Sequence, residues 1–386
     1  MPRTARADTV GSLLRPDYLR ETRQRAREGK ATMAELRAAE DKAIVEAIDM
    51  QERVGLDVIS DGEMRRVLWA TSAPLVNDST YTPPLAGFSY FTSAMSAGWQ
   101  TFWRDNAGKN VGAPPGSRRA TITQPLQVVR DIVGDEYAFL KGHAHGRTKY
   151  TFPAPSFHRV FWHPDHSRDA YPTVEDWLYE VRDYMRREIV DKLVALGCDY
   201  IQLDAPNYGQ TYTDPEVRAA FEAEGHNLDK ELAVDADVDN SVFEGLSDEV
   251  TRAIHVCRGN RPGGFWSAAG GYEFAEGMFP RLNHVDTLLL EYDTPRSGTF
   301  EPLKHVRPDT NVVLGLITTK EGDLEDWQQV EARITEASEF VPLERLALSS
   351  QCGFASGEAG NPITGAEQEA KLRLIVETAR RMWREG

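Results

Sequence analysis

Cysteine is scarce in this chain, with three residues in 386 (Cys198, Cys257 and Cys352). So small and odd a number provides no disulfide framework, which excludes the stapled secreted domains. Positive charge is also short: 44 Lys and Arg stand against 60 Asp and Glu, for a formal net charge of −16. Nucleic acids and anionic membranes reward basic patches, so neither is an expected partner. No apolar run approaches the roughly 18 residues of a membrane span. The opening segment MPRTARADTVGSLLRP has no apolar core of a signal peptide, and a cytoplasmic location is expected. A Gly-x-Gly-x-x-Gly turn is missing after the first β-rich run, which argues against a doubly wound dinucleotide fold.

What the chain does contain is alternation. Eight short β-rich runs recur: ADTVGS (7–12), GLDVISDGE (55–63), TKYTFPAPS (148–156), CDYIQLDAP (198–206), RAIHVCRGN (252–260), DTLLLEYD (286–293), NVVLGLITTK (311–320) and RLALSSQCG (345–353). Their apolar and β-branched content suits strands buried on both faces. Amphipathic stretches separate most of them, as in MAELRAAEDKAIVEAIDMQERVG, VEDWLYEVRDYMRREIVDKLVALG and EDWQQVEARITEASEF. Alternating strands and helices imply right-handed crossovers and a parallel sheet. Eight such units predict a (β/α)8 TIM barrel, read as a single catalytic domain over 1–386. Two connections exceed what a simple barrel needs, at about 64–147 and 207–250. The first lies between barrel strands 2 and 3 and is rich in aromatics: Trp69, Phe88, Tyr90, Phe91, Trp99 and Trp103. Insertions of this kind cover the mouth of a site or build a contact in a homo-oligomer, but their aromatics more commonly form the core of an inserted subdomain.

Barrel side chains at the C-terminal strand ends converge on one face. Here run five ends in His255 and Cys257, run six in Glu291, and Cys352 follows run eight. His255 and Cys257 stand two apart, so an extended chain points both to one side. Two thiols, an imidazole and a carboxylate make a ligand set for a borderline-soft metal, and zinc fits it best. Taken singly, each residue has a plainer reading, since a strand-end cysteine is ordinarily a small buried apolar side chain. Four ligand types at three converging strand ends are harder to attribute to packing alone.

These positions resemble the cobalamin-independent methionine synthase family, in particular its short single-barrel members, which are similar to the C-terminal catalytic half of the full-length enzyme. The resemblance runs from TVGSLLRP (9–16) to LALSSQCGFAS (346–356). It implies Zn2+ held by His255, Cys257, Glu291 and Cys352. It also implies that the VGS turn, through Gly11 and Ser12, receives the carboxylate of homocysteine. Glu63 and Asp204 then hold the α-ammonium as catalytic and substrate-binding residues. Turn amides suit an anion, and two acceptor-only carboxylates suit a cation. The plainer readings are an ion pair of Glu63 with Arg65 or Arg66, and a turn or helix-capping role for Asp204. The implied reaction is zinc-dependent transfer of a methyl group to homocysteine to give methionine, through a zinc-bound thiolate, with methyl-folate or a methyl-corrinoid as donor.

Departures from the family pattern weaken the donor side. Ala205 stands where the family has a glutamate. Thr318, Thr319 and Lys320 replace the proton-donating histidine beyond strand seven, and Phe157 and His158 stand near the place of the tryptophan that packs on the pterin. The folate-holding N-terminal half of the full-length enzyme has no counterpart in this sequence. His143, His145, His158, His163 and His166 fit no metal spacing and are expected at the surface or against substrate. Cys198 is expected to pack, and the acidic stretch EAEGHNLDKELAVDADVDN (222–240) to form a solvated insertion. Rival readings are an epoxyalkane:coenzyme M transferase-like alkyltransferase, a non-catalytic zinc- or thiol-binding barrel, and a metal-free barrel with Glu63 as base.

Overall fold

The computed structural model describes residues 4–70, 78–101, 109–260 and 268–383. Its helices are α1 (Asp17–Arg27), α2 (Met33–Val54), α3 (Ala97–Gln100), α4 (Ile132–His143), α5 (Val174–Met185), α6 (Asp191–Ala195), α7 (Pro215–Ala223), α8 (Leu228–Ser241), α9 (Trp327–Ala337) and α10 (Gly365–Met382). The strands are β1 (Leu85–Phe91), β2 (Arg119–Val128), β3 (Tyr150–Pro153), β4 (Tyr200–Asp204), β5 (Thr251–Val256), β6 (Thr287–Glu291), β7 (Asn311–Ile317) and β8 (Leu346–Ser350). Local chemistry sets several boundaries. Thr32 and Glu35 close a reciprocal capping box at the start of α2, and Gly55 ends it in the left-handed conformation. Between α5 and α6 a π-turn, Arg186–Val190, interrupts what the sequence reads as one helix.

β3 to β8 form a parallel sheet in sequence order. β6, β7 and β8 are buried along their whole length, which is why they read as continuous apolar runs. Runs one and two close the ring. The Asp8 amide donates to the Leu348 carbonyl, the Asp57 amide to Ala7, and the Ile59 amide to Arg147. Ala5, Val10, Val58, Tyr200, Ala253, Leu289, Val313 and Ala347 pack together in the interior. This is a TIM barrel. The first two runs were expected to be strands, but they pair only through isolated bridges, Ala7 with Leu348 and Ile59 with Thr148. Side-chain acceptors explain the difference. Asp57 takes the Arg6 and Ala7 amides, Asp8 takes the Thr9 amide, and Gln51 takes the Ser60 amide, so these donors leave the ladder.

Within 64–147 the described chain contains an antiparallel hairpin, β1 with β2. Its aromatics pack onto barrel connections and the second insertion. Phe88 meets Phe161 and Trp177 edge-on, Trp99 meets Phe221, and Phe91 stacks on His166 at 3.9 Å. Tyr90 is exposed, and Trp103 lies outside the described residues. Two expectations are corrected here. His158 is fully buried between Phe157 and Phe161, with Nδ1 3.1 Å from the Ala154 carbonyl oxygen, and burial pushes its pKa down to about 4. The acidic stretch is not simply solvated either. Asp235 and Asp239 lie four apart on the inward face of α8 and are buried. Tyr212, Arg159 and Asn207 meet the first, and Tyr208 and Ser156 the second. Cys198 is buried as expected, its thiol 3.3 Å from the Tyr200 carbonyl. Among the described residues, no helix is long and apolar enough to cross a membrane.

Candidate active site

Parallel pairing carries the ends of β5, β6 and β8 to the same rim of the barrel, with His255 in register with Leu289 and Glu291 with Gly315. There His255, Cys257, Glu291 and Cys352 bring one ligand atom each within 4.8 Å of one another, the one such group among the described residues. The two sulfurs are 3.5 Å apart. Ligands on a tetrahedral ion with metal–sulfur bonds of about 2.3 Å would be separated by about 3.8 Å, so the spacing suits a shared cation. The His255 Nδ1 lies 3.3 Å from the Leu289 carbonyl oxygen, which fixes the proton on that nitrogen. Its Nε2 is buried, lacks a hydrogen-bond partner among the described residues, and lies 3.8 Å from Glu291 Oε1. An orphaned imidazole nitrogen aimed at two thiols and a carboxylate is a donor set that could hold a metal ion.

The electrostatics agree. Burial holds the His255 pKa down to about 3, so the ring is neutral and its lone pair available. Cys257 is pushed well above the usual thiol range by its contact with Cys352, then by burial. Burial raises the Glu291 carboxyl, against the Arg258 amide that donates to Oε1 at 2.8 Å. The Cys257 and Glu291 shifts disfavour an anion and a divalent cation would reverse them, while the His255 shift keeps the ring in the neutral form that a metal binds. Outer contacts hold the ligands in place. Gln351 Nε2 reaches Glu291 Oε2 at 3.4 Å, and its oxygen is fixed by the Thr319 amide and hydroxyl. Asn260 Nδ2 donates to the Gly353 carbonyl and to Ser356 Oγ, tying the loop after Cys257 to the loop after Cys352. Gly209, in the π-turn Tyr208–Thr213, packs so closely on the Cys257 carbonyl that a Cβ would collide with it.

The second group of predicted residues lies across the same cavity. A space of about 340 Å3 is lined by Ser12, Glu63, Asp204, His255, Cys257 and Cys352, together with Val10, Leu68, Trp69, Pro206, Gln210 and Asn260. Gly11 sits behind the lining, where a Cβ would come within 2.9 Å of Thr151 Cγ2 and 3.4 Å of Glu63 Oε1. Glu63 has φ 59°, the only positive φ outside glycine among the described residues. That conformation costs of order 1 kcal/mol and persists only when its surroundings hold it. Arg15 provides the hold, donating to the Glu63, Arg66, Leu13 and Ala355 carbonyls.

The ion pair anticipated as the plain reading of Glu63 is present: Arg66 Nη1 lies 3.2 Å from Oε1, which also accepts from Thr151. Arg65 pairs with Asp41 instead. Glu63 Oε2 has no hydrogen-bond partner among the described residues. Asp204 ends β4 rather than capping a helix, and its Oδ1 accepts from Gln202 at 2.8 Å. Burial and then the Glu63 charge push its pKa up to about 7. Two buried carboxylates whose pKa values are both raised by burial, one of them also by the other's charge, form a site for a cation.

Sequence reasoning passed over Asn260, Gln351, Arg15, Thr151 and Gln202, which touch the predicted residues without being ligand types themselves. Lys320, first noted only as a substitution, lies at this rim with Nζ 2.6 Å from Asn260 Oδ1, and burial lowers its pKa.

Comparison with known proteins follows the same lines. The chain is 35% identical over 382 residues to the uncharacterized protein YxjH of Bacillus subtilis, covering 98% of this chain and 95% of that one. Residues 5–71 match the family model described as cobalamin-independent synthase, catalytic domain. The chain belongs to the cobalamin-independent methionine synthase family. A methionine synthase of Sulfurisphaera tokodaii is 23% identical over 347 residues, 89% of this chain and 84% of its own. A solved structure from Listeria monocytogenes, described as a candidate vitamin-B12 independent methionine synthase, superposes with a TM-score of 0.69 at 27% identity and covers both chains completely.

Proposed function

We propose that this protein is a zinc-dependent methyltransferase that moves a methyl group to the thiol of L-homocysteine, acting as a single barrel domain with two insertions. One observation carries the reading: a soft-metal ligand cluster and a buried carboxylate pair face the same 340 Å3 cavity. Zinc held by His255, Cys257, Glu291 and Cys352 would lower the acceptor thiol's pKa, so that a sulfur nucleophile exists near neutral pH.

The chain's own residues do the positioning. Glu63 and Asp204 take the α-ammonium as charge-assisted acceptors, and Ser12 takes the α-carboxylate through its amide and hydroxyl. Holding both groups leaves the side chain of the amino acid directed toward Cys257 and Cys352. Leu68 and Trp69 wall the cavity and limit water at the sulfur. Lys320, its pKa lowered by burial, has Nζ engaged by Asn260 Oδ1, and Thr318 and Thr319 offer no acid of the strength that a folate leaving group needs. A methyl-corrinoid donor is therefore favoured over a polyglutamylated methyl-folate. The carboxylate pair disfavours a coenzyme M-like acceptor, whose sulfonate it would repel.

The test combines metal analysis with an activity assay. The purified protein should hold one zinc, lost in Cys257→Ser and Cys352→Ser but kept in Cys198→Ser. It should form methionine from homocysteine faster with methylcobalamin than with methyl-folate. Absence of zinc, or full zinc occupancy in both cysteine variants, overturns the metal assignment. Fast turnover with folate that is lost in Lys320→Ala overturns the donor assignment alone.

A further inference from the structure

A second cavity, of about 590 Å3, lies where the two insertions meet. Trp99 and Arg119 reach it from the first insertion, Tyr212, Phe221 and Asp235 from the second, and Trp162 from the segment after β3. It is separate from the metal-side cavity. The segment 206–213 divides the two, with Pro206 and Gln210 facing one space and Asn207, Thr211 and Tyr212 the other.

The walls carry two contacts between opposite charges, and two groups held by neutral partners alone, Glu224 and Arg119. Arg159 Nε bonds Asp235 Oδ1 at 2.9 Å, and His226 Nδ1 meets Glu231 Oε1 at 2.8 Å. Glu224 accepts from Ser96 Oγ at 2.9 Å and from the Gly98 amide at 3.0 Å. Arg119 is the cation of the two: its Nε, Nη1 and Nη2 donate to the main-chain carbonyls of Val160, Ala94 and Trp162, and its guanidinium lies 4.2 Å over the Trp99 ring. No carboxylate among the described residues pairs with it. Guanidinium has five N–H donors, so three bonds leave two without an acceptor. Burial with nothing to offset it lowers the Arg119 pKa to about 9, and the neighbouring His163 ring is lowered by burial and then by the Arg119 charge.

A half-buried cation without a counter-charge, set among Trp99, Trp162 and Phe221, matches one ligand chemistry. We propose that this cavity is a second ligand site, taking a planar aromatic molecule that bears an anionic group. The anion meets Arg119, and the ring lies against the tryptophans. The volume is that of an ordinary small-molecule pocket, about 300–1,000 Å3. The site gives the aromatic insertion a role that the reaction at the metal side does not require.

The probe is benzoate, titrated into the full chain by calorimetry beside its neutral isostere benzamide. Benzoate should bind saturably and at least tenfold more tightly than benzamide. Arg119→Gln should abolish that preference, while Arg119→Lys, which keeps the charge, should retain part of it. Trp162→Leu should weaken both probes, and Asp204→Asn, in the other cavity, should change neither. Circular dichroism confirms that each variant is folded. If Arg119→Gln unfolds the chain, the Arg119→Lys and Trp162→Leu arms decide. Absence of saturable benzoate binding overturns the proposal. So does a preference that survives Arg119→Gln, unchanged binding in Trp162→Leu, or loss of benzoate in Asp204→Asn.

Discussion

Asp204 shows at the scale of one residue how a binding site trades against stability. Its pKa rises to about 7 from an ordinary value of 3.8, chiefly through burial and then through Glu63. Between those two values the unfolded chain has released its proton while the folded chain keeps it, so stability falls as pH rises through that window. Asp204→Asn removes the penalty. It should raise the melting temperature at pH 8 and leave it nearly unchanged at pH 3, where the aspartate is protonated when folded and largely so when unfolded. The same substitution should weaken binding of methionine, which carries the ammonium and carboxylate without a titrating thiol. Methionine affinity of the unsubstituted protein should increase with pH up to about 7 and then level off. A variant destabilised at pH 8, with methionine binding intact, would show that Asp204 is a structural group and not a receptor for the ammonium.

Elements matter to this site at their ends. β5 and β8 are not neighbours in the sheet, yet each delivers a cysteine to one point. Asn260 joins the loops that follow them, donating across to Gly353 and Ser356 while accepting from Lys320 and Asn361. Its amide orientation is set by that combination, because the cationic Lys320 can only face the oxygen. Asn260→Ala should leave the barrel folded but relax the distance between Cys257 and Cys352. Outer contacts of this kind are worth about 10–100-fold in metal affinity. Competition with a chromogenic chelator should therefore show zinc affinity falling by about that factor, with the thermal transition of the chelated protein unchanged. An unaltered zinc affinity would mean that the two loops hold their geometry without the bridge.

Over the whole molecule, barrel closure rests on a buried polar cluster. Lys149 Nζ lies 2.8 Å from Asp8 Oδ1 and 3.0 Å from Gln202 Oε1, and Tyr200 donates to Asp8 Oδ2 at 2.7 Å. These groups join run one to β3 and β4 through the interior, across run two. Lys149→Met would leave the Asp8 carboxylate buried with only the Tyr200 hydroxyl and the Thr9 amide as donors and no counter-charge, a loss of about 3–5 kcal/mol. The urea midpoint should fall accordingly, and Asp8→Asn on top of Lys149→Met should recover part of it. Equal midpoints for the two variants would show that the pair contributes nothing to closure.

The ring of strands was legible in the chain because parallel strands buried on both faces must be apolar, and the helices between them must be amphipathic. The metal-side residues were legible for a related reason. Strand order and direction send every C-terminal end to one rim, so ligand types at those ends meet wherever the strands lie in sequence. Glu63 and Asp204 were accessible through family resemblance, and composition alone did not indicate them. Other features depended on distant partners. Asp235 and Asp239 look like solvated charges until Tyr208, Tyr212, Ser156 and Arg159 close over them. Runs one and two read as strands, yet Asp8, Asp57 and Gln51 divert their amides. His158 carries no local sign of burial, and Arg119 no sign that its partners are carbonyls. Periodicity and residue type are local properties and determine the elements and their order. Burial of charge is decided by groups far apart in the chain, so only the tertiary structure shows which polar residues are sealed in, strained or left without a partner.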